Sequence, residues 1–265
     1  MAIVAQIRDH YDSLAFMYRA FWGDHLHHGL FNDSESPADA QLKMLDYCIQ
    51  SLDLKGNEKV LDAGCGYGGT LLYLAQNLGC GGVGITLSPK QAQIAREKAR
   101  AAGFSQLLEF VVADADSYTF PCCSFDLVWA MESSEHFADK ARFLKNARSA
   151  LRADGRLLLA AWTGDMANQR VLEVARAFLC PELWTANQYI AATEAAGFRV
   201  IHCRDLTEKV VHTWEICRQR ANAARLAVAL LPRAAREFVA GIDIILDAYR
   251  SGDLTYTVLS GRAKR

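Results

Sequence analysis

The sequence has no cysteine pair spaced as CxxC, no surplus of either charge sign and no long hydrophobic run. Each absence narrows what the chain can be. Its eight cysteines (Cys48, Cys65, Cys80, Cys122, Cys123, Cys180, Cys203 and Cys217) are scattered over 265 residues, so neither a zinc site nor a thioredoxin-like motif is indicated. They read as small buried hydrophobes in a reducing, cytoplasmic setting. With 29 Lys+Arg against 30 Asp+Glu the formal net charge is −1, and there is neither a basic stripe nor an NPPY-like base-flipping segment. Nothing is therefore offered to hold a nucleic-acid backbone. No uninterrupted apolar run is longer than that from Leu157 to Trp162, which falls far short of the roughly 20 residues of a membrane span. The opening MAIVAQIRDHYD meets acidic and aromatic residues too early for a secretory signal, and no transit peptide is expected.

What is present is a large apolar fraction, 51%, enough for one sizeable core. Residues 1–55 read as helical, with Ser36-Pro37 as an N-cap followed by proline at the first helical position. From residue 56 to 164 short apolar runs alternate with helical stretches. The strands are KVLDAG (59–64), GGVGIT (81–86), LLEFVVAD (107–114), FDLVWAME (125–132) and RLLLAAW (156–162). Ser88-Pro89-Lys90-Gln91 has the form of a capping box that opens a helix ending at Gly103, and KARFLKNARSALRADG reads as a helix with a glycine stop. Over 165–265 the alternation breaks: 165–185 has no clear periodicity, FRVIHCRDL is a sixth strand, 210–250 is helical and LTYTVLSGRAKR a last strand. Strands apolar on both faces imply an α/β domain with a doubly wound, mostly parallel seven-stranded sheet, helical additions at the N-terminus and a helical insertion before the last strand.

The most informative stretch is VLDAGCGYGG, in which Gly64, Gly66 and Gly69 satisfy G-x-G-x-x-G between a strand and a helix. Nicotinamide, flavin and S-adenosylmethionine sites all use that pattern, and three details separate them. Asp62 sits at the strand end, where a carboxylate suits an ammonium and would repel a pyrophosphate. The second strand ends in Ile85-Thr86-Leu87-Ser88 with no acid for a dinucleotide ribose. VVADAD and FDLVWAMESSEH put acidic and aromatic groups at the ends of the next two strands.

These stretches, with WGDHLHHGLF, GITLSPKQAQIA and the late AAW, resemble a class I S-adenosylmethionine-dependent methyltransferase. The likeness is nearest to tocopherol methyltransferases and their sterol, cyclopropane-fatty-acid and small-molecule relatives, and it runs from about residue 11 to 163. It implies S-adenosyl-L-methionine as cofactor, with Asp62, Gly64, Cys65 and Gly66 at its amino-acid end. Thr86, Leu87 and Gln91 would hold the ribose, and Asp114 and Ala115 would meet the adenine. Tyr18, His27 and Met131 are further implied contacts. Gln91 has an alternative role as a helix cap, and Asp114 as a plain turn carboxylate.

His25, His27 and His28 lie in a segment resembling a lid over the methionine moiety, alternatively a surface loop with incidental histidines. No metal is expected, because no fourth ligand follows from the spacing. Tyr11 and Tyr18 either belong to a core stripe or flank the cofactor. Glu132, Glu135 and His136 are three ionisable residues where an apolar strand opens into a cleft, a costly placement unless it serves chemistry. Glu132, His136 and His28 are the candidates for a general base or for stabilising positive charge on the acceptor, and Ser133 and Ser134 read as helix caps. The expected activity is methyl transfer to a small, largely apolar acceptor, with carbon of a prenylated aromatic or isoprenoid ahead of nitrogen or oxygen. The alternatives are a nicotinamide oxidoreductase and a non-catalytic S-adenosylmethionine-binding protein. No nucleic-acid partner and no stable membrane insertion are expected, and a homodimer is left open.

Overall fold

The strand order reverses beside the first strand, and that reversal opens the crevice in which everything else happens. The computed structural model describes residues 4–9, 11–12, 23 and 25–264. Its sheet has seven strands in the order β3-β2-β1-β4-β5-β7-β6. They are β1 (Lys59–Ala63), β2 (Gly81–Thr86), β3 (Leu108–Val112), β4 (Phe125–Met131), β5 (Leu151–Gly164), β6 (Phe198–Asp205) and β7 (Leu254–Ala263). Strands β1 to β5 run parallel, and β7 lies antiparallel between β5 and β6. Ligands of open α/β sheets sit outside the carboxyl ends of the strands at such a switch point, here between β1 and β4.

The two-residue period of a strand explains why these segments are apolar throughout. Along β4, Leu127, Trp129 and Met131 enter one core and Val128 and Ala130 the other; along β5, Leu158, Ala160 and Trp162 alternate with Leu157, Leu159 and Ala161.

Helices cover both faces. The first, α1, includes residues 4–9 and 11–12. It is followed by α2 (Pro37–Leu52), α3 (Gly69–Leu78), α4 (Pro89–Ala101), α5 (Lys140–Ala150), α6 (Gln169–Ala177), α7 (Ala186–Ala195), α8 (Thr207–Val210), α9 (His212–Ala223), α10 (Arg225–Ala229) and α11 (Arg233–Arg250). Ser36 and Ser88 cap α2 and α4 by accepting from the backbone N–H of Asp39 and Gln91, with proline in the first turn of each.

Three readings are corrected. The helix expected to run to Gly155 stops at Ala150, because buried Leu151 pairs with Phe125 as the first residue of β5. The residues after it bulge out before Arg156 meets Leu127, with Asp154 left-handed at φ 60°. The stretch after residue 165 contains α6, a helix of 9 residues whose buried Val171, Val174 and Ala175 give one helical face, too short a run for periodicity to stand out. Finally, neither Ser133, which precedes the short 3-10 turn Ser134–His136, nor Ser134 caps a helix with its side chain: Asp139 caps α5, while the two serine hydroxyls bond to Ala63 O and to the Tyr189 hydroxyl.

Candidate active site

The loop after β1 is a backbone cradle. Gly64, Gly66 and Gly68 all have positive φ, 93°, 51° and 75°. The N–H groups of Gly64 and Cys65 both donate to Ile85 O, at 2.8 and 2.9 Å, and Ser133 Oγ donates to Ala63 O at 2.6 Å. The ends of β1, β2 and β4 are thus tied together around Gly64, where an added Cβ would lie 2.2 Å from Ser133 Cβ. Gly64→Ala combines a left-handed alanine with that overlap, and is expected to cost about 2 kcal/mol or more. The expected readout is a thermal midpoint several degrees lower, with no further upward shift on adding S-adenosyl-L-methionine. An unchanged midpoint would refute the close packing.

Two buried acceptors face a small cleft beside this cradle, which is lined by His27, Asp62, Gly64, Cys65, Gly66 and Met131 among others. Asp62 is 2% exposed and among the described residues its Oδ2 has no hydrogen-bond partner; burial pushes its carboxyl up to about 7. His27 is equally buried, and its Nδ1 bonds to His28 O at 2.9 Å. A carbonyl only accepts, so Nδ1 carries the proton and Nε2, which has no partner, presents a lone pair. Burial lowers the His27 pKa and keeps the ring neutral. A carboxylate and an imidazole lone pair in one cleft suit an ammonium, not a phosphate.

Where the ribose is expected, Thr86 Oγ1 donates to Gln91 Oε1 at 2.6 Å. Gln91 therefore uses its backbone, and not its side chain, in the cap of α4. The hydroxyl of Ser88 also donates to Asp12 of α1, which ties the N-terminal segment to this rim. Asp114 accepts from Asp116 N–H and Ser117 Oγ, at 3.1 and 3.2 Å, so its carboxylate organises a turn. Asp114, Ala115, Thr86, Leu87 and Gln91 nonetheless all line one large cavity with Gly64, Gly66 and Met131.

The acidic cluster after β4, Glu132, Glu135 and His136, lines the same cavity. Glu132 stands at a left-handed φ of 48°, a strained conformation for a residue with a side chain. Its carboxylate accepts from the backbone N–H of His28 (2.7 Å), from His28 Nδ1 (2.8 Å) and from the Tyr256 hydroxyl (2.8 Å). The indole N–H of Trp214 donates to His28 Nε2 at 2.6 Å. Because indole only donates, His28 is held as the Nδ1–H tautomer, and a one-way relay runs Trp214 to His28 to Glu132. Burial pushes the Glu132 carboxyl up, but the His28 ring and backbone N–H outweigh it and leave the pKa below the ordinary value. Both nitrogens of His28 are occupied behind Glu132, whereas Glu132 and His136 line the cavity itself.

Glu135 is the counterpart of opposite character. It is 2% exposed and accepts the Trp162 backbone N–H on Oε1 at 2.7 Å, and among the described residues Oε2 has no partner; burial pushes its carboxyl up to about 8. The Tyr11 hydroxyl meets His136 Nε2 at 3.0 Å, so Tyr11 faces the site. Tyr18 lies outside the described residues.

Reasoning from sequence did not reach the aromatic wall. Trp162, Phe178, Trp214 and Phe238 line the cavity and meet edge-to-face, with Trp162–Phe178 and Phe178–Trp214 centroids 5.2 and 5.4 Å apart. The indole N–H of Trp162 is buried without a partner. Asp116, buried against Arg142, is a further lining residue that went unassigned. Among the described residues no three His, Cys, Asp or Glu side chains come together as a metal-ligand set.

Comparison with known proteins agrees with this geometry. The mycolic acid cyclopropane synthetase family matches residues 2–240. Tocopherol O-methyltransferase of Arabidopsis thaliana is 29% identical over 96% of this chain and 80% of its own length. Methyltransferase GfsG of Streptomyces halstedii is 30% identical over 78% of both. The cyclopropane synthase MmaA2 of Mycobacterium tuberculosis shares the fold, with a TM-score of 0.87, 20% identity and 98% of each chain covered. With a glycine cradle at the switch point and a buried carboxylate beside it, the chain belongs to the mycolic acid cyclopropane synthetase family and is an S-adenosyl-L-methionine-dependent methyltransferase.

Proposed function

We propose that the acceptor is a small, largely apolar, uncharged molecule, foremost a prenylated aromatic or isoprenoid-like compound methylated on carbon. The observation that carries this reading is the far wall of the cavity, made of Trp162, Phe178, Trp214 and Phe238. Aromatic edges and faces pack an apolar ring or chain and tolerate a developing cation. The relative named for tocopherol fits such an acceptor. Among the described lining residues there are four carboxylates, Asp114, Asp116, Glu132 and Glu135, and no Lys or Arg, so a free diphosphate would meet repulsion.

Asp62 and His27 would hold the ammonium of the cofactor, the glycine cradle would admit its chain, and Thr86 with Leu87 and Gln91 would meet its ribose. When bound, S-adenosyl-L-methionine supplies a sulfonium methyl group that is already electrophilic. The protein's own tasks are to align the acceptor in line with that methyl, to exclude water and to manage one proton. Glu132, held ionised by His28 and Tyr256, is a fixed negative charge that would stabilise the cation left on the acceptor once its carbon has taken the methyl group. Glu135, a residue of the cavity lining whose Oε2 is buried without a partner among the described residues and whose pKa lies near physiological pH, takes the acceptor proton. His136 orients the Tyr11 hydroxyl toward the same space.

For Glu135 the ionised form is the base, so kcat/KM is expected to rise with pH through about 8. Glu135→Gln should remove that limb and lower the plateau about tenfold or more. A limb that persists in the variant would assign the base elsewhere. Incubation with labelled methyl donor and a panel of prenylated phenols, isoprenoids and amines tests the acceptor class. Exclusive turnover of amines or of prenyl diphosphates would overturn it.

A further inference from the structure

The segment joining α9 to α11 carries a surface that the chemistry of the site does not use. Leu226 and Leu230, four residues apart, are 80% and 88% exposed. Among the described residues the other exposed large hydrophobics reach only 54%. Exposed Ala229 and Pro232 extend the patch, and a contiguous exposed apolar patch with a polar rim marks a contact surface. The charge around them is one-sided. From Ile216 to Ile242 there are five arginines (Arg218, Arg220, Arg225, Arg233 and Arg236) and one acid, Glu237, in a chain whose net charge is −1. Arg225, Arg233 and Arg236 are exposed, and Glu237 pairs with Arg233.

We propose that Leu226 and Leu230, ringed by these arginines, dock the protein on an anionic lipid surface. Leucines that enter the headgroup–acyl boundary while arginines meet lipid phosphates are the chemistry of interfacial attachment. No helix among the described residues is long and apolar enough to cross a membrane, so the attachment is peripheral. Charge complementarity chooses the occupant. Self-association through this patch about a two-fold axis would set arginines against arginines, whereas an anionic bilayer neutralises them. The inner faces of the same helices put Trp214 (α9) and Phe238 (α11) into the wall of the active-site cavity. Docking therefore brings the apolar phase against the elements that build the acceptor site. The proposal does not rest on the acceptor assignment, because attachment is read without turnover.

The test is co-sedimentation of the full chain with phosphatidylcholine vesicles with and without phosphatidylglycerol, at low and high salt. Binding is expected only with the anionic lipid. It should weaken roughly tenfold or more in Leu226→Ser/Leu230→Ser, and likewise in Arg225→Glu/Arg236→Glu and in high salt. Both leucines are exposed, so an unchanged circular dichroism spectrum and melting midpoint will separate lost docking from lost folding. Failure of the parent chain to bind anionic vesicles would overturn the proposal. So would equal binding by the leucine variant, or a dimer in light scattering that the leucine variant abolishes.

Discussion

Asp62→Asn is expected to lower affinity for S-adenosyl-L-methionine and its demethylated product about hundredfold, and to make the ligand-free protein more stable above about pH 7. The two effects have opposite signs for one reason. In the free protein the buried carboxyl is held up to about 7 by desolvation, against about 3.9 in an unfolded chain. Between those values the unfolded state gives up a proton that the native state keeps. Stability therefore falls as pH rises through this window, and the penalty is complete above it. Asparagine cannot ionise and removes the penalty, but it also removes the charge that meets the ligand's ammonium. In the parent chain, cofactor affinity should accordingly rise with pH up to about 7 as Asp62 ionises. Titration calorimetry with the demethylated product measures binding without turnover, and thermal melts across pH measure the other half. Retained affinity in the variant would remove Asp62 from the site, whatever the melts show.

The strands and the cofactor crevice could be read in advance because their causes are local. A strand buried on both faces must be apolar at every position, and the loop after β1 needs glycine where φ is positive, above all at Gly64, which has no room for a Cβ beside Ser133. What could not be read depends on partners distant in sequence. Glu132 and Glu135 are the same residue type three positions apart, yet one is drawn down by His28, 104 residues away, and the other is pushed up by its burial. The motif E-S-S-E-H holds no trace of that difference. His28 looked like a base from its place in an HLHH loop, and only Trp214, 186 residues away, reveals that its second nitrogen is occupied. The aromatic wall was hidden for a similar reason. Phe178, Trp214 and Phe238 sit on or beside helices whose inward faces are defined only once those helices cross the sheet.

Glu132→Gln is expected to leave cofactor affinity within about twofold of the parent while lowering turnover roughly tenfold or more. The amide keeps the shape and loses the charge, so the comparison isolates what a fixed anion contributes to a cationic transition state. One complication follows directly from the relay. An amide Nε2–H facing His28 Nδ1 forces the ring into its other tautomer, and Nε2–H then points at the Trp214 N–H only 2.6 Å away. Two donors in that buried place cost about 1–3 kcal/mol, so the single variant should also melt lower. Trp214→Phe removes the opposing donor. The double variant Glu132→Gln/Trp214→Phe is therefore expected to regain melting temperature relative to Glu132→Gln without regaining turnover. Recovery of both together would mean that Glu132 acts only by holding the loop of His28 in place. Recovery of stability alone leaves the charge itself, at the left-handed end of β4, as the source of the rate.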